Sequence, residues 1–163
     1  MTDKRSRPSW DEYFLNLTRE AASRSPDPNT QVGCVIVRDK RVLATGYNGN
    51  IAGVDTSNFP WIREKTVEWP NAKYPLVMHA ELNCVAQAAK EGISLKDSTA
   101  YVFFMPCLPC LQLLWQVGVR EIVFPKGKTG TESKSFGLER TEDKPYYDLI
   151  FRATKGQLVI REV

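Results

Sequence analysis

From residue 79 onward the chain alternates helical and strand patterns, and this alternation constrains the fold more than any other feature of the sequence. His79 to Lys90 has helical composition and runs into Gly92, a C-cap signal, and Ala100 to Met105 reads as a short buried strand. Another helix is expected to start near Leu108 and stop at Gly118, with Arg120 to Phe124 as the next strand. Such alternation implies βαβ crossovers and a sheet that is parallel in its later part. Upstream, Val32 to Val37 and Val42 to Gly46 are apolar, β-branched runs separated by Arg38-Asp39-Lys40-Arg41, which predicts a hairpin. A first helix is expected from Ser9, an N-cap with Glu12 at the capping-box position, to Ser23, with Tyr13, Phe14, Leu17 and Ala21 as its apolar stripe. A helix near Tyr146 to Ala153, a turn at Gly156 and a strand from Leu158 to Ile160 end the pattern.

The 163 residues suit a single domain, 1–163, able to bury about two-thirds of its surface without disulfides. Apolar residues make up 42% and charged residues 25%, which argues against a disordered, collagenous or membrane-spanning chain. Twenty-two Lys and Arg against 19 Asp and Glu give a net charge of +3, which suits an anionic small molecule and does not announce a nucleic-acid binder. No apolar run approaches eighteen residues and no apolar segment follows the basic N-terminus, so no membrane span or secretion signal is expected and a cytoplasmic location is inferred. Two segments stand outside the regular pattern. Ile51 to Leu76 holds three prolines and two tryptophans with no sustained period, which marks about 50–78 as a functional loop. Lys126 to Lys144 is polar, reads as a mobile loop, and opens a variable C-terminal part, 125–163.

The chemistry-bearing residues fall in two clusters, each at the start of a predicted helix. The single histidine lies in His79-Ala80-Glu81, and Pro106-Cys107-Leu108-Pro109-Cys110 begins 25 residues after Glu81. One imidazole and two thiolates form a three-ligand set that suits tetrahedral Zn2+ with its fourth position open to water, and their charges cancel that of the metal. Cysteines at i and i+3 share a helix face, and the N–H groups of a first helical turn stabilise thiolates. Glu81, two residues from His79, would sit beside such a water as proton acceptor and donor. A Cys-x-x-Cys alone also fits a redox pair or half of a structural zinc site. Cys34 and Cys84 read as core residues. Asn48, in Gly46-Tyr47-Asn48-Gly49, is either a ligand-binding amide or a turn asparagine with left-handed φ. Arg24, Arg63 and Lys73 are either phosphate contacts or solvated charges, and Trp61 and Trp69 either lid residues or anchors of the long loop.

The spacing H-x-E followed by P-C-x-x-C is shared by zinc nucleobase deaminases. The chain resembles the zinc-dependent cytidine deaminase superfamily and, within it, the deoxycytidylate (dCMP) deaminases. The resemblance spans about Asp27 to Phe124 and rests on Pro28-Asn-Thr-Gln-Val-Gly33, Gly46-Tyr-Asn-Gly49, Phe59-Pro-Trp-Ile-Arg63, His79-Ala-Glu-Leu-Asn83 and Pro106-Cys-x-x-Cys110. It implies an α/β fold, a three-layer αβα sandwich with a five-stranded mixed sheet, and hydrolysis of dCMP to dUMP and ammonia. It also implies a catalytic zinc on His79, Cys107 and Cys110, with Glu81 as proton shuttle. By position, Asn48 would contact the sugar, Val32 the base, the Ala80 backbone the base carbonyl and Asn29 the phosphate. Members are commonly hexamers activated by dCTP and inhibited by dTTP with Mg2+, so a homo-oligomer and these effectors are further expectations. The chain departs from the pattern at Asn50-Ile51-Ala52-Gly53, which lacks a proline before its last glycine near the expected regulatory nucleotide. Leu108, Leu111, Leu113 and Leu114 are unusually apolar. Beyond Phe124 the resemblance thins, leaving Tyr146 or Tyr147 to close the pocket. Two rival readings are a deaminase of another cytosine nucleotide or of a polynucleotide, and a catalytically silent zinc-bound nucleotide sensor.

Overall fold

The computed structural model describes residues 6–53, 55, 57, 59–62, 73, 75–127 and 144–163, so Arg63, Trp69 and most of the expected loop at 126–144 lie outside the described residues. The elements in order are α1 (Trp10–Ala22), β1 (Gly33–Arg38), β2 (Arg41–Tyr47), α2 (Ala80–Lys90), β3 (Ser98–Val102), α3 (Leu108–Gln116), β4 (Val119–Phe124), α4 (Lys144–Ala153) and β5 (Val159–Glu162). The strands form one sheet in the order β2-β1-β3-β4-β5. β1 pairs antiparallel with both β2 and β3, while β3-β4 and β4-β5 are parallel, as helical crossovers require. In the β1-β2 hairpin Arg38 pairs with Arg41, and the two turn residues Asp39 and Lys40 have φ of 51° and 61°, the backbone of a tight type I′ turn built without glycine. β3 is shorter than the sequence suggests, ending at Val102.

Helices cover both faces, giving the expected three layers. On one face α1 sets Phe14 and Leu15 against Val35, Val37, Tyr101 and Val123. On the other, Cys34, Ile36, Ala100, Val102, Ile122 and Phe124 meet Ala80, Cys84 and Ala88 of α2, Leu111 and Leu114 of α3, and Tyr147 of α4. Alternate residues of each strand thus serve opposite faces, and β1, flanked by β2 and β3, is buried from Gly33 to Val37.

The stripe expected on α1 is displaced. Ser9 caps the helix as predicted, accepting from the Glu12 amide at 3.1 Å, but the buried residues are Phe14, Leu15, Thr18 and Ala22, while Tyr13 is exposed. The cause lies across the interface at Gly33, where a Cβ would come within 1.9 Å of the Thr18 carbonyl oxygen. The small residues Thr18 and Ala22 let the helix descend onto a strand that has no side chain at that point, and Thr18 satisfies its hydroxyl by donating to the Leu15 carbonyl at 2.7 Å.

A polar network ties α1 to the parallel half of the sheet. Arg161 on β5 holds Asp11 through two nitrogens, at 2.8 and 3.0 Å, and donates its Nε to Glu121 at 2.6 Å. Tyr101 donates to Asp11 at 2.8 Å, and Thr99 to Glu121 at 2.9 Å. The Arg161 hydrogen bonds hold the Asp11 carboxyl below the usual carboxylate value, while burial pushes the Tyr101 phenol up.

The long connection after β2 is closed at its base. Gly49 and Met78 form an isolated antiparallel bridge, with Gly49 N donating to Met78 O at 3.1 Å and Met78 N to Gly49 O at 2.8 Å. A buried hub holds it from the side. Asp27, 1% exposed, forms an ion pair with Lys73, 5% exposed, and its other oxygen accepts from the Asn29 and Thr30 amides at 2.8 and 3.3 Å. Asn29 in turn donates its Nδ2 to the Trp61 carbonyl at 2.9 Å.

Two outcomes follow from these networks. Replacing Lys73 with Met strands a buried carboxylate and is expected to cost about 3–5 kcal/mol in urea unfolding, part of it recovered by Asp27→Asn in the same chain; a loss below about 1 kcal/mol would mean the pair is solvated. Arg161→Met is expected to cost about 1 kcal/mol at neutral pH, since the groups are about a third exposed. Because the Asp11 carboxyl is lowered in the folded state, its contribution is present above the unfolded value, 3.8, and is lost as pH falls through the folded one. The difference between parent and variant melting temperatures should therefore shrink below about pH 4.

Candidate active site

Two helices begin side by side on the face of the sheet opposite α1, each preceded by a residue of the sequence pattern. His79 is the N-cap of α2, with φ −70° and ψ 157°, and Cys107 is the N-cap of α3, with φ −65° and ψ 162°. Neither side chain caps its own helix, so both are available to the space between the two helix starts. Cys110 lies one turn into α3 and is fully buried. His79 Nδ1 stands 3.5 Å from the Sγ of Cys107 and 3.5 Å from that of Cys110, and the three ligand atoms lie within 4.8 Å of one another. A tetrahedral zinc with bonds of about 2.3 Å to sulfur and about 2.0–2.1 Å to nitrogen separates those donors by about 3.6 Å. The donor set and its spacing therefore fit zinc.

The local electrostatics favour one thiolate, at Cys107. The first-turn N–H groups of α2 and α3 have no intrahelical acceptors and place partial positive charge at the site. The Cys107 thiol is pulled down to about 4, first by its hydrogen bond with Cys110 and then by that with His79, while the same pairing and burial hold Cys110 up. His79 is raised, first by its hydrogen bond with Cys107. Glu81, 6% exposed in the first turn of α2, has its carboxyl raised by burial, partly offset by its own backbone amide. Its charge is felt by His79 and Cys110, and that of His79 and Cys107 by it, so the acid lies in the electrostatic neighbourhood of the three donors.

α2 is seated on the sheet by Gly46. A Cβ there would meet the Ala80 carbonyl oxygen at 2.3 Å and the Cys84 nitrogen at 2.5 Å, so the first turn of α2 rests on the backbone of β2. Asn83 reinforces the seat, donating its Nδ2 to the Tyr47 carbonyl at 2.8 Å. The sequence reading held both residues in motifs but gave neither this packing role; an uninterrupted strand pattern carrying a glycine was the available signal for the first. Cys34 and Cys84 are fully buried in the same core cluster, in keeping with their reading as core residues.

The residues expected to contact substrate are arranged as follows. Asn48 is buried and does not have a positive φ, so the turn-asparagine alternative does not describe it. Its Oδ1 accepts from the Val32 amide at 2.7 Å, its Nδ2 donates to the Thr30 carbonyl at 2.8 Å, and its amide donates to the Val32 carbonyl at 3.0 Å. Asn48 and Val32 thus interlock the end of β2 with the segment preceding β1. Ala80 is fully buried in the first turn of α2. The exposed Asn29 joins the Asp27 hub to Trp61. Lys73 is neither a phosphate contact nor a solvated charge but the buried partner of Asp27, and Arg24 is exposed. Trp61 is half-buried against Phe59, ring centroids 4.4 Å apart, and anchors the loop through its carbonyl. Tyr146 is 60% exposed, whereas Tyr147 is 1% exposed and points its hydroxyl at the Pro106 carbonyl, 2.8 Å away.

Comparison with known proteins agrees with this arrangement. Residues 8–126 match the family described as the cytidine and deoxycytidylate deaminase zinc-binding region. The chain is 37% identical over 120 residues to the deoxycytidylate deaminases of Pongo abelii and Homo sapiens, covering 73% of this chain and 66% of each of theirs, so the match spans somewhat less than two-thirds of those relatives. It is 38% identical over 127 residues to the deoxycytidylate deaminase of Mycobacterium phage D29, covering 74% of this chain and 98% of that one. In fold it is similar to the dCMP deaminase of cyanophage S-TIM5 in complex with dCMP and dUMP, with a TM-score of 0.68 and 20% identity over 97% of this chain and 99% of that one. Among the described residues no helix is long and apolar enough to cross a membrane. A matching family region that contains every zinc-ligand candidate, together with relatives above a third identical, shows that the chain belongs to the cytidine and deoxycytidylate deaminase family.

Proposed function

We propose that this protein hydrolyses dCMP to dUMP with release of ammonia, with 1–163 acting as one deaminase domain. The observation that carries the reading is the buried carboxylate of Glu81 beside a His/Cys/Cys set with zinc spacing, in a chain whose curated relatives are deoxycytidylate deaminases. A zinc ion held by His79, Cys107 and Cys110 would supply the Lewis acidity that brings the pKa of water toward neutrality.

The remaining chemistry falls to the chain. Water oxygen adds to C4 of the cytosine ring as Glu81 takes a proton from the water and passes one to N3. Glu81 then takes the remaining proton from the C4 hydroxyl and delivers it to the amino group, so that the C4–N bond breaks, ammonia leaves and the carbonyl forms at C4. Burial raises the Glu81 carboxyl and so brings its affinity for a proton closer to what both transfers need. In this reading the Ala80 amide, in a helical turn whose N–H groups lack intrahelical acceptors, meets the base carbonyl. In the same reading Val32 would meet the base and Asn48 the sugar, and their mutual hydrogen bonds hold the two residues together. Asn29, exposed beside the Asp27 hub, lies toward the phosphate.

The test is the ultraviolet absorbance change on mixing the purified protein with dCMP, compared with dCTP, cytidine and single-stranded DNA. A chelator should stop the reaction and added zinc restore it. Glu81→Gln should lower turnover by at least about 10²–10⁴-fold while metal analysis finds zinc retained. Undiminished deamination by that variant removes Glu81 from its role, and a preference for another member of the substrate panel replaces dCMP.

A further inference from the structure

The family match ends at residue 126, yet one side chain beyond it reaches the metal-binding turn. Tyr147 lies on α4, 1% exposed, within the same apolar cluster as Leu111 and Leu114 of α3, and its hydroxyl donates to the Pro106 carbonyl at 2.8 Å. Pro106 is buried and immediately precedes Cys107.

The peptide joining Pro106 to Cys107 is a rigid plane whose oxygen belongs to Pro106 and whose nitrogen belongs to Cys107. Fixing that oxygen fixes the rotation of the plane and therefore the direction in which Cys107 leaves it. The proline ring already limits rotation on the N-terminal side. On the C-terminal side, the Cys107 carbonyl accepts the first hydrogen bond of α3 from the Leu111 amide at 2.8 Å. The Tyr147 hydroxyl supplies the remaining restraint, and a buried carbonyl deprived of such a partner turns to find another.

We infer that Tyr147 is a positioning residue for the zinc site, holding the Pro106–Cys107 peptide so that the Cys107 sulfur stays in register with His79 and Cys110. The C-terminal helix then serves the metal centre without touching metal or substrate. This inference rests on the zinc reading of the site but not on the identity of the substrate.

The test compares Tyr147→Phe, which removes one hydroxyl, with Phe151→Leu, which trims a partly buried α4 side chain that packs against the same core. Zinc affinity is measured by competition with a chromophoric chelator, and cobalt is loaded in place of zinc to record its ligand-field and sulfur-to-metal charge-transfer bands. Tyr147→Phe should weaken zinc binding by about 10- to 100-fold, the range for residues that orient metal ligands, and alter the cobalt spectrum. Phe151→Leu should lower the melting temperature while leaving both metal readouts at parent values. Zinc affinity within twofold of the parent and an unchanged cobalt spectrum for Tyr147→Phe would overturn the inference, as would equal metal defects in the two variants. Failure of the parent chain itself to bind zinc would instead overturn the zinc reading. Should metal-free Tyr147→Phe not fold, the rate of zinc release from protein produced with zinc replaces the titration. Release about tenfold faster or more supports the role, and an unchanged rate ends it.

Discussion

Direct backbone contact between α2 and β2 is what the site depends on. Gly46 has no Cβ, and any larger residue would push the Ala80 carbonyl and the Cys84 amide away from the strand. With the helix seated there, its N-cap residue His79 reaches the two sulfurs at the start of α3. Both ligand-bearing segments are then held by regular elements packed on one sheet face, so the metal site inherits the stiffness of the core and not the mobility of a loop.

The same geometry sets the electrostatics. Two helix starts aimed at one point collect unsatisfied N–H groups where negative charge is wanted, and the pairing of the two thiols with each other splits their proton affinities, Cys107 downward and Cys110 upward. Glu81 comes from the same turn as His79 but lies deeper, where burial works against its charge. In the proposed reaction one helix thus supplies both a ligand and a proton carrier, separated by environment more than by distance along the chain.

The helices, the hairpin, the parallel later half of the sheet and the candidate zinc ligands were legible because they are written locally, while the five-stranded, three-layer arrangement was implied by the family resemblance. Helix and strand alternate at short range, and His79-Ala80-Glu81 and Pro106 to Cys110 are compact. What escaped is long-range. Arg161 meets Asp11 across 150 residues and Lys73 meets Asp27 across 46, and neither pair carries a periodicity that would announce it. Lys73 read as a candidate phosphate contact because a lysine in an irregular stretch is usually near solvent; its burial follows from Asp27, which no local pattern links to it. The α1 stripe was misplaced by a residue because Gly33 favours small side chains opposite it, a preference that a helical period alone does not express. Asn48 was singled out as a ligand-binding amide or a turn residue, and neither reading contained its three hydrogen bonds to the Thr30–Val32 segment, which depend on how β2 meets that segment.

The bridge between Gly49 and Met78 gives the chain between them a fixed rim from which to hang. A segment whose ends are pinned in this way gains or loses residues at an entropic cost that rises only with the logarithm of its length. Outside its anchors at Trp61 and Lys73, its length can therefore change at little cost while His79, one residue past the rim, stays in place.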